Sequence, residues 1–256
     1  MIKSLLKRFA KPSGSQQSAD PRLPNGVRIY AFGDVHGRVD LLEQLYGQVR
    51  KDLEDRPVDK AMEVFLGDYV DRGPCSKEVI DWLVTGQDVA DKRICLRGNH
   101  ELMMQAFLDD ASVIGSWGQY GGLETLHSYG LKFKLPITDD AHDEIQAEFS
   151  NALPAEHLEF LRVLRPSASA GGYFFAHAGV NPRKPLNQQV EDDLYWIRDP
   201  FLDWGRPLEK IVVHGHTPVE EPEIKVHRIG VDTGAYVTGR LTCGVLERNE
   251  VRFLST

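Results

Sequence analysis

From residue 27 onward the chain repeats one pattern. A short β-prone run ends in glycine with aspartate, asparagine or histidine, and a helix-like stretch often follows. Val27 to Phe32 leads into Gly33-Asp34-Val35-His36-Gly37. Glu63 to Leu66 leads into Gly67-Asp68-Tyr69-Val70-Asp71-Arg72-Gly73, and Arg93 to Leu96 into Arg97-Gly98-Asn99-His100-Glu101. Tyr173 to Ala176 leads into His177-Ala178-Gly179-Val180, and Ile211 to Val213 into His214-Gly215-His216-Thr217. Between these runs the apolar period lengthens. Leu42, Leu45, Tyr46, Val49 and Leu53 form a helical stripe, with Asp40 and Glu43 spaced as a capping pair. Ser76 is placed to cap a helix carrying Val79, Ile80 and Leu83, which Gly86 stops. Strand, loop and helix in alternation predict an α/β sheet whose functional residues gather beyond the strand ends.

Two stretches break the rhythm. Residues from Asp109 to Arg165 read as largely helical, interrupted by Trp117-Gly118-Gln119-Tyr120-Gly121-Gly122. That interruption suits either a substrate groove or a turn with Trp117 buried. Near the C terminus, Val226 to Val231, Leu241 to Leu246 and Val251 to Leu254 are β-rich, and they are expected to form a mostly antiparallel set closing a second sheet. There is no internal repeat. The organisation expected is a flexible basic segment over residues 1–26, then one catalytic domain over residues 27–256.

Composition narrows the function. The 256 residues include 41% hydrophobic and 27% charged positions, ordinary values for a globular chain. A formal charge of -8 argues against general nucleic-acid binding, because such surfaces are basic. Three distant cysteines, Cys75, Cys95 and Cys243, imply no disulfide framework and point to a reducing cytoplasm. Cys75 stands beside a charged motif, but no glycine run follows it that would cradle a phosphate for a thiol nucleophile. No apolar stretch approaches the roughly 18 residues that span a bilayer. Ile2, Leu5, Leu6 and Phe9 sit at helical spacing beside Lys3, Lys7 and Arg8, and a frayed basic tail is favoured over a lipid-touching helix.

The strand-end clusters carry the chemistry. Asp34, His36, Asp68, Asn99, His177 and His216 combine hard carboxylates, imidazoles and one amide oxygen, a set suited to Mn, Fe or Zn rather than Ca. Six ligands exceed what one catalytic ion usually takes, whereas two ions about 3.5–4 Å apart would use them well. Arg72, Arg97 and Arg198 offer rigid guanidinium forks that match phosphate oxygens. His100, next to Asn99, is placed to protonate a leaving alkoxide, and Asp71 either fixes its ring or pairs with Arg72.

The strings Gly-Asp-Val-His-Gly, Gly-Asp-Tyr-Val-Asp-Arg-Gly and Arg-Gly-Asn-His-Glu resemble the signature of the PPP-type, calcineurin-like metallophosphatases. That family includes the eukaryotic serine/threonine phosphatases and the bacteriophage lambda-type phosphatase. The resemblance runs from Arg28 to Leu246, and Trp196-Ile197-Arg198 and Asp232-Thr233-Gly234-Ala235 are similar to its bacterial and phage branch. It implies a metallophosphoesterase sandwich of two mixed sheets flanked by helices, with a dimetal site at the strand C-terminal ends. Asp34 and His36 would then hold one ion, Asp68 would bridge, and Asn99, His177 and His216 would hold the second. Two Mn²⁺ ions are expected, with Fe or Zn as alternatives. His214 has no counterpart in that pattern and is assigned a supporting role.

The activity implied is hydrolysis of phosphomonoesters by direct attack of a hydroxide generated between the ions. The expected substrate is a phosphoserine or phosphothreonine protein or peptide, with phosphotyrosine as a further candidate. The alternative is a symmetrical bis(5'-nucleosyl)-tetraphosphatase. A nuclease-like diesterase is disfavoured, because Pro218 stands where such enzymes often carry another histidine. An inactive metal-binding regulatory module is disfavoured because no ligand position is substituted.

Overall fold

The computed structural model describes residues 22–86 and 89–256. The candidate N-terminal helix and most of the expected lead-in lie outside these residues. The lead-in ends earlier than expected, since Leu23 is buried and its N–H donates to the Arg248 carbonyl at 2.9 Å.

Among the described residues ten strands form two five-stranded sheets. The first has the order β10-β9-β1-β2-β3, with β1 Val27–Phe32, β2 Lys60–Phe65, β3 Lys92–Cys95, β9 Thr242–Glu247 and β10 Glu250–Ser255. The second has the order β4-β5-β6-β8-β7, with β4 Ser167–Ala170, β5 Tyr173–Ala176, β6 Ile211–His214, β7 Glu223–Ile224 and β8 Arg228–Gly230. Each sheet has three adjacent parallel strands, β1-β2-β3 at one side of the first and β5-β6-β8 at the centre of the second, and antiparallel strands complete it. The helices are α1 Val39–Asp55, α2 Ser76–Thr85, α3 Asn99–Asp109, α4 Ile114–Trp117, α5 Gly122–Ser128, α6 His142–Ala152 and α7 Ala155–Val163. The short α8 Glu191–Trp196, α9 Asp199–Leu202 and α10 Ala235–Thr238 follow.

Side-chain alternation explains why two sheets pack face to face. On β1, Ile29 and Ala31 enter the core between the sheets with Tyr173, Phe175, Val213 and Ile229. Tyr30 and Phe32, on the opposite face, pack against Leu42 and Leu45 of α1 and Val79 and Ile80 of α2. A strand buried on both faces reads as a nearly continuous apolar run, as β1 does. On the outer face of the second sheet, Phe174 and Val212 meet Leu194, Tyr195 and Phe201.

Three local expectations need correction. The C-terminal runs do not form one set. Arg228–Gly230 pairs parallel with β6 in the second sheet, while β9 and β10 extend the first sheet through antiparallel pairing of β9 with β1. Alternation marks a strand but not its partner. Asp40 does not cap α1, which starts at Val39 with Arg38 at its N-cap; Asp40 pairs with Arg38 instead. Ser76 is the first residue of α2 rather than its cap, and its hydroxyl accepts the Asp71 N–H. Gly86 does end α2. Between Asp109 and Arg165 the described structure is largely helical, as the sequence predicts.

Candidate dimetal active site

The parallel strands of both sheets end at one place, and the loops that follow them are tied together across the sheets. The His177 Nδ1–H donates to the Leu66 carbonyl at 3.0 Å, and the His216 backbone N–H donates to Asp34 Oδ2 at 2.9 Å. The backbone here is forced into a rare conformation. Among the described residues six that are not glycine have positive φ, and five of them, His36, Asp68, Asp71, Arg72 and His216, are candidate site residues. Such conformations cost free energy and persist where surrounding contacts over-determine them.

Glu101, which sequence alone leaves without chemistry, supplies much of that determination. Its carboxylate is buried and accepts the N–H groups of Gly98 (2.9 Å), Asp68 (2.9 Å) and Tyr69 (2.7 Å). One side chain on α3 thereby holds the loop after β2 in place. Burial and the neighbouring Asp68 push the Glu101 carboxyl up to about 7, while the N–H donors pull it down. Gly98 is required by close approach, because a Cβ there would lie 2.1 Å from Asp68 Oδ1.

Two groups of ligand atoms share Asp68. His36, Asp68 and His100 present atoms within 4.8 Å of one another, and so do Asp68, His177 and His216. In the second group the His177 Nε2 lies 2.9 Å from Asn99 Oδ1, 3.3 Å from Asp68 Oδ1 and 3.2 Å from His216 Nδ1. Asn99 Oδ1 lies 2.9 Å from His216 Nδ1. Since the His177 Nδ1–H serves the Leu66 carbonyl, a neutral His177 turns a lone pair towards these oxygens. In the first group the His36 Nδ1–H donates to the Val70 carbonyl at 2.8 Å, leaving Nε2 to face Asp68 Oδ2 at 3.5 Å. A ring nitrogen anchored on a carbonyl while the other faces a ligand cluster is the usual arrangement of metal-binding histidine.

The donor set fits divalent cations. Asp34, Asp68 and Asp232 are buried together, and Asp34 Oδ1 and His216 Nε2 are buried without a hydrogen-bond partner. Burial, followed by Asp232 and Asp68, raises Asp34 well above the usual carboxylate range. Burial pushes His36 down to about 3 and His216 down to about 2, so both rings are neutral and free to ligate. Burial opposes charge on His177 as well, but Asp68 outweighs it and raises that ring. Buried acceptors in this density are costly unless a cation compensates them.

His100 is set apart from the other candidate residues by its partners. Its Nδ1 lies 2.7 Å from Asp71 Oδ2, and its Nε2 stands 3.4 Å from Arg72 Nη2 and 3.8 Å from Asp68 Oδ2. Burial disfavours the charged ring, yet Asp68 and the Asp71 hydrogen bond outweigh it and hold His100 above its ordinary value. The Asp71 carboxylate is fully enclosed: Trp117 Nε1–H donates to Oδ2 at 2.8 Å and the Thr125 hydroxyl to Oδ1 at 2.6 Å. Sequence reasoning misses both partners, although Trp117 is buried as one of its two readings holds. Asp232, also unassigned from sequence, joins the carboxylates around Asp34 and is raised to about 6, chiefly by burial.

The arginines divide. Arg72 lies over the Tyr236 ring at 4.5 Å and beside His100, and Arg198, exposed, is near enough to lower His216. Arg97 is turned to the Leu161 carbonyl, which its Nη2 reaches at 3.2 Å. His214 is buried, its Nδ1–H donating to the Gly215 carbonyl at 3.0 Å. Burial and Glu78 raise the Cys75 thiol, which disfavours it as a nucleophile.

The calcineurin-like phosphoesterase family pattern matches residues 27–253. The asymmetrical bis(5'-nucleosyl)-tetraphosphatase PrpE of Oceanobacillus iheyensis is 28% identical over 236 residues, covering 84% of this chain and 87% of that protein. A protein of Encephalitozoon cuniculi described as a probable serine/threonine-protein phosphatase is 27% identical over 238 residues, 88% of this chain and 41% of its own length. The crystal structure of a cold-active protein-tyrosine phosphatase from a psychrophilic Shewanella species superposes with a TM-score of 0.54 at 18% identity, covering 93% of this chain and 82% of that one. At that identity the likeness is one of fold.

Proposed function

The chain belongs to the calcineurin-like phosphoesterase family, and on that footing we propose that it is a dimetal phosphomonoester hydrolase acting on phosphoproteins. Asp34 and His36 would hold one ion, Asp68 would bridge, and Asn99, His177 and His216 would hold the other, with Mn²⁺ the first choice of metal. When bound, such ions lower the pKa of water and neutralise phosphate charge. Everything else falls to the chain. Arg72 and Arg198 orient the phosphate, and Arg97 joins them only by leaving the Leu161 carbonyl. His100 delivers its Nε2 proton to the leaving oxygen as the new bond from water to phosphorus forms and the ester bond breaks.

The observation that carries this reading is the enclosed Asp71–His100 pair. A proton donor is valuable when the leaving oxygen is strongly basic, as a serine, threonine or tyrosine oxygen is. It gains little when a phosphate leaves from an anhydride. No ligand position is substituted, which disfavours an inactive regulatory module.

The second reading, dinucleoside tetraphosphate hydrolysis, is supported by the PrpE relatives, which are themselves named as asymmetrical rather than symmetrical enzymes. A side-by-side assay with Mn²⁺ of phosphopeptides and diadenosine tetraphosphate separates the two. The phosphoprotein reading requires the larger kcat/KM on peptides. A large preference for the dinucleotide replaces it with the second reading.

A further inference from the structure

Aromatic rings stand at the mouth of the buried site, each edge-on to a candidate site histidine. The Tyr120 ring is 6.4 Å from the His100 ring at 85°, and Tyr120 is 49% exposed. Tyr236 is partly buried, its ring 5.3 Å from His36 at 80° and 4.5 Å from the Arg72 guanidinium. Both belong to the side of the site that holds His36 and His100. Trp196, 42% exposed, stands on the other side, 6.4 Å from His216 at 84°.

The backbone that carries Tyr120 is anchored to the site. It closes a short turn over Gly118–Tyr120, and the carbonyl of the next residue, Gly121, accepts the Arg72 N–H at 3.1 Å. The same segment anchors Asp71 through Trp117 and Thr125. Thus the element that orients the proton donor also sets an exposed ring beside it. An exposed tyrosine on an anchored backbone next to a buried charged centre has no core to fill.

We infer that Tyr120 and Tyr236 flank the leaving group and select phosphoesters whose leaving oxygen is bonded directly to an aromatic ring, phosphotyrosine above phosphothreonine. The inference rests on the reading of His100 as proton donor, which places the leaving oxygen beside that ring. A phenol carries its ring on the leaving oxygen, so the ring enters the space between the two tyrosines. In a dinucleoside polyphosphate the base is separated from the reacting phosphorus by ribose and further phosphates, and falls beyond them. Edge or offset contacts between aromatic rings contribute about 0.5–1.5 kcal/mol each, roughly two- to twelvefold in affinity.

Matched peptides bearing phosphotyrosine or phosphothreonine, assayed with Mn²⁺, give the ratio of kcat/KM. Tyr120→Leu with Tyr236→Leu should lower that ratio about tenfold, the Phe pair should restore it, and Trp196→Leu should leave it in place. Calorimetric binding of benzylphosphonate against ethylphosphonate to the Mn²⁺-loaded protein gives a readout free of catalysis, with preference for the aryl ligand lost in the Leu pair. Peptide hydrolysis with an unchanged ratio overturns the inference and leaves the proposed function standing. Absence of ester hydrolysis with aryl-selective phosphonate binding overturns the proposed function and supports the aromatic slot. Loss of diadenosine tetraphosphate turnover in the Leu pair with no change in the peptide ratio assigns the rings to nucleobases and overturns the inference.

Discussion

Oδ2 of Asp71 accepts from two buried rings at once, His100 through Nδ1 at 2.7 Å and Trp117 through Nε1 at 2.8 Å. The indole therefore fixes the carboxylate that fixes the imidazole. Trp117→Phe should lower kcat about ten- to a hundredfold on a phosphopeptide, the weight of one charge-assisted hydrogen bond. Bound metal should remain at the wild-type level. Elemental analysis beside steady-state kinetics checks both, and metal lost in parallel with activity would assign Trp117 to scaffolding alone.

Glu101 accepts four backbone N–H groups, those of Asp68, Tyr69, Val70 and Gly98, and an amide has one oxygen in place of two. Glu101→Gln should destabilise the fold by about 1–3 kcal/mol and weaken metal binding, because Asp68 loses its left-handed backbone support. Urea unfolding and calorimetric Mn²⁺ titration measure the two effects. Wild-type metal affinity in this variant would detach Glu101 from the site.

Asp68 belongs to both candidate ligand groups, whereas His216 belongs to one. Asp68→Asn should abolish tight binding of both ions, and His216→Ala should reduce the content from two to one. Chelation should end turnover in the wild type, with Mn²⁺ restoring it. Elemental analysis after gel filtration reads the stoichiometry.

Far from the site, Asp52 joins Tyr30, Arg28 and Arg252 at the outer face of the first sheet. Burial raises its pKa, but Arg252 and Tyr30 outweigh that and hold it below the ordinary value. A depressed carboxyl gives its full stabilisation above the unfolded pKa of about 4 and loses it as pH falls through the folded value. Asp52→Asn should therefore cost about 1–2 kcal/mol at pH 7, with the difference shrinking towards pH 2. Urea midpoints at both pH values test the sign.

Much of this was legible in sequence, because a candidate ligand that follows a strand by one to four residues is a local feature. Asp34, His36, Asp68, Asn99, His177 and His216 needed only the strand ends, and the parallel sheets brought them together. What escaped depended on distant partners. Glu101 reads as an ordinary first-turn acid of α3, while two of its donors lie 32 and 33 residues away. Trp117 and Thr125 are 46 and 54 residues from Asp71, and nothing local marks them. The sheet membership of β9 and β10 was hidden for the same reason: a pleat shows which face is apolar, not which strand lies alongside.

The proton carried by His100 is the centre of the account, and its signature is the dependence of rate on the leaving group. We would measure kcat/KM across aryl phosphates of rising leaving-group pKa, for the wild type and for His100→Asn, both loaded with Mn²⁺. A shallow dependence in the wild type that becomes steep in the variant is the predicted result, with losses of about 10²–10⁴ for the poorest leaving groups. Parallel slopes in the two proteins would contradict it.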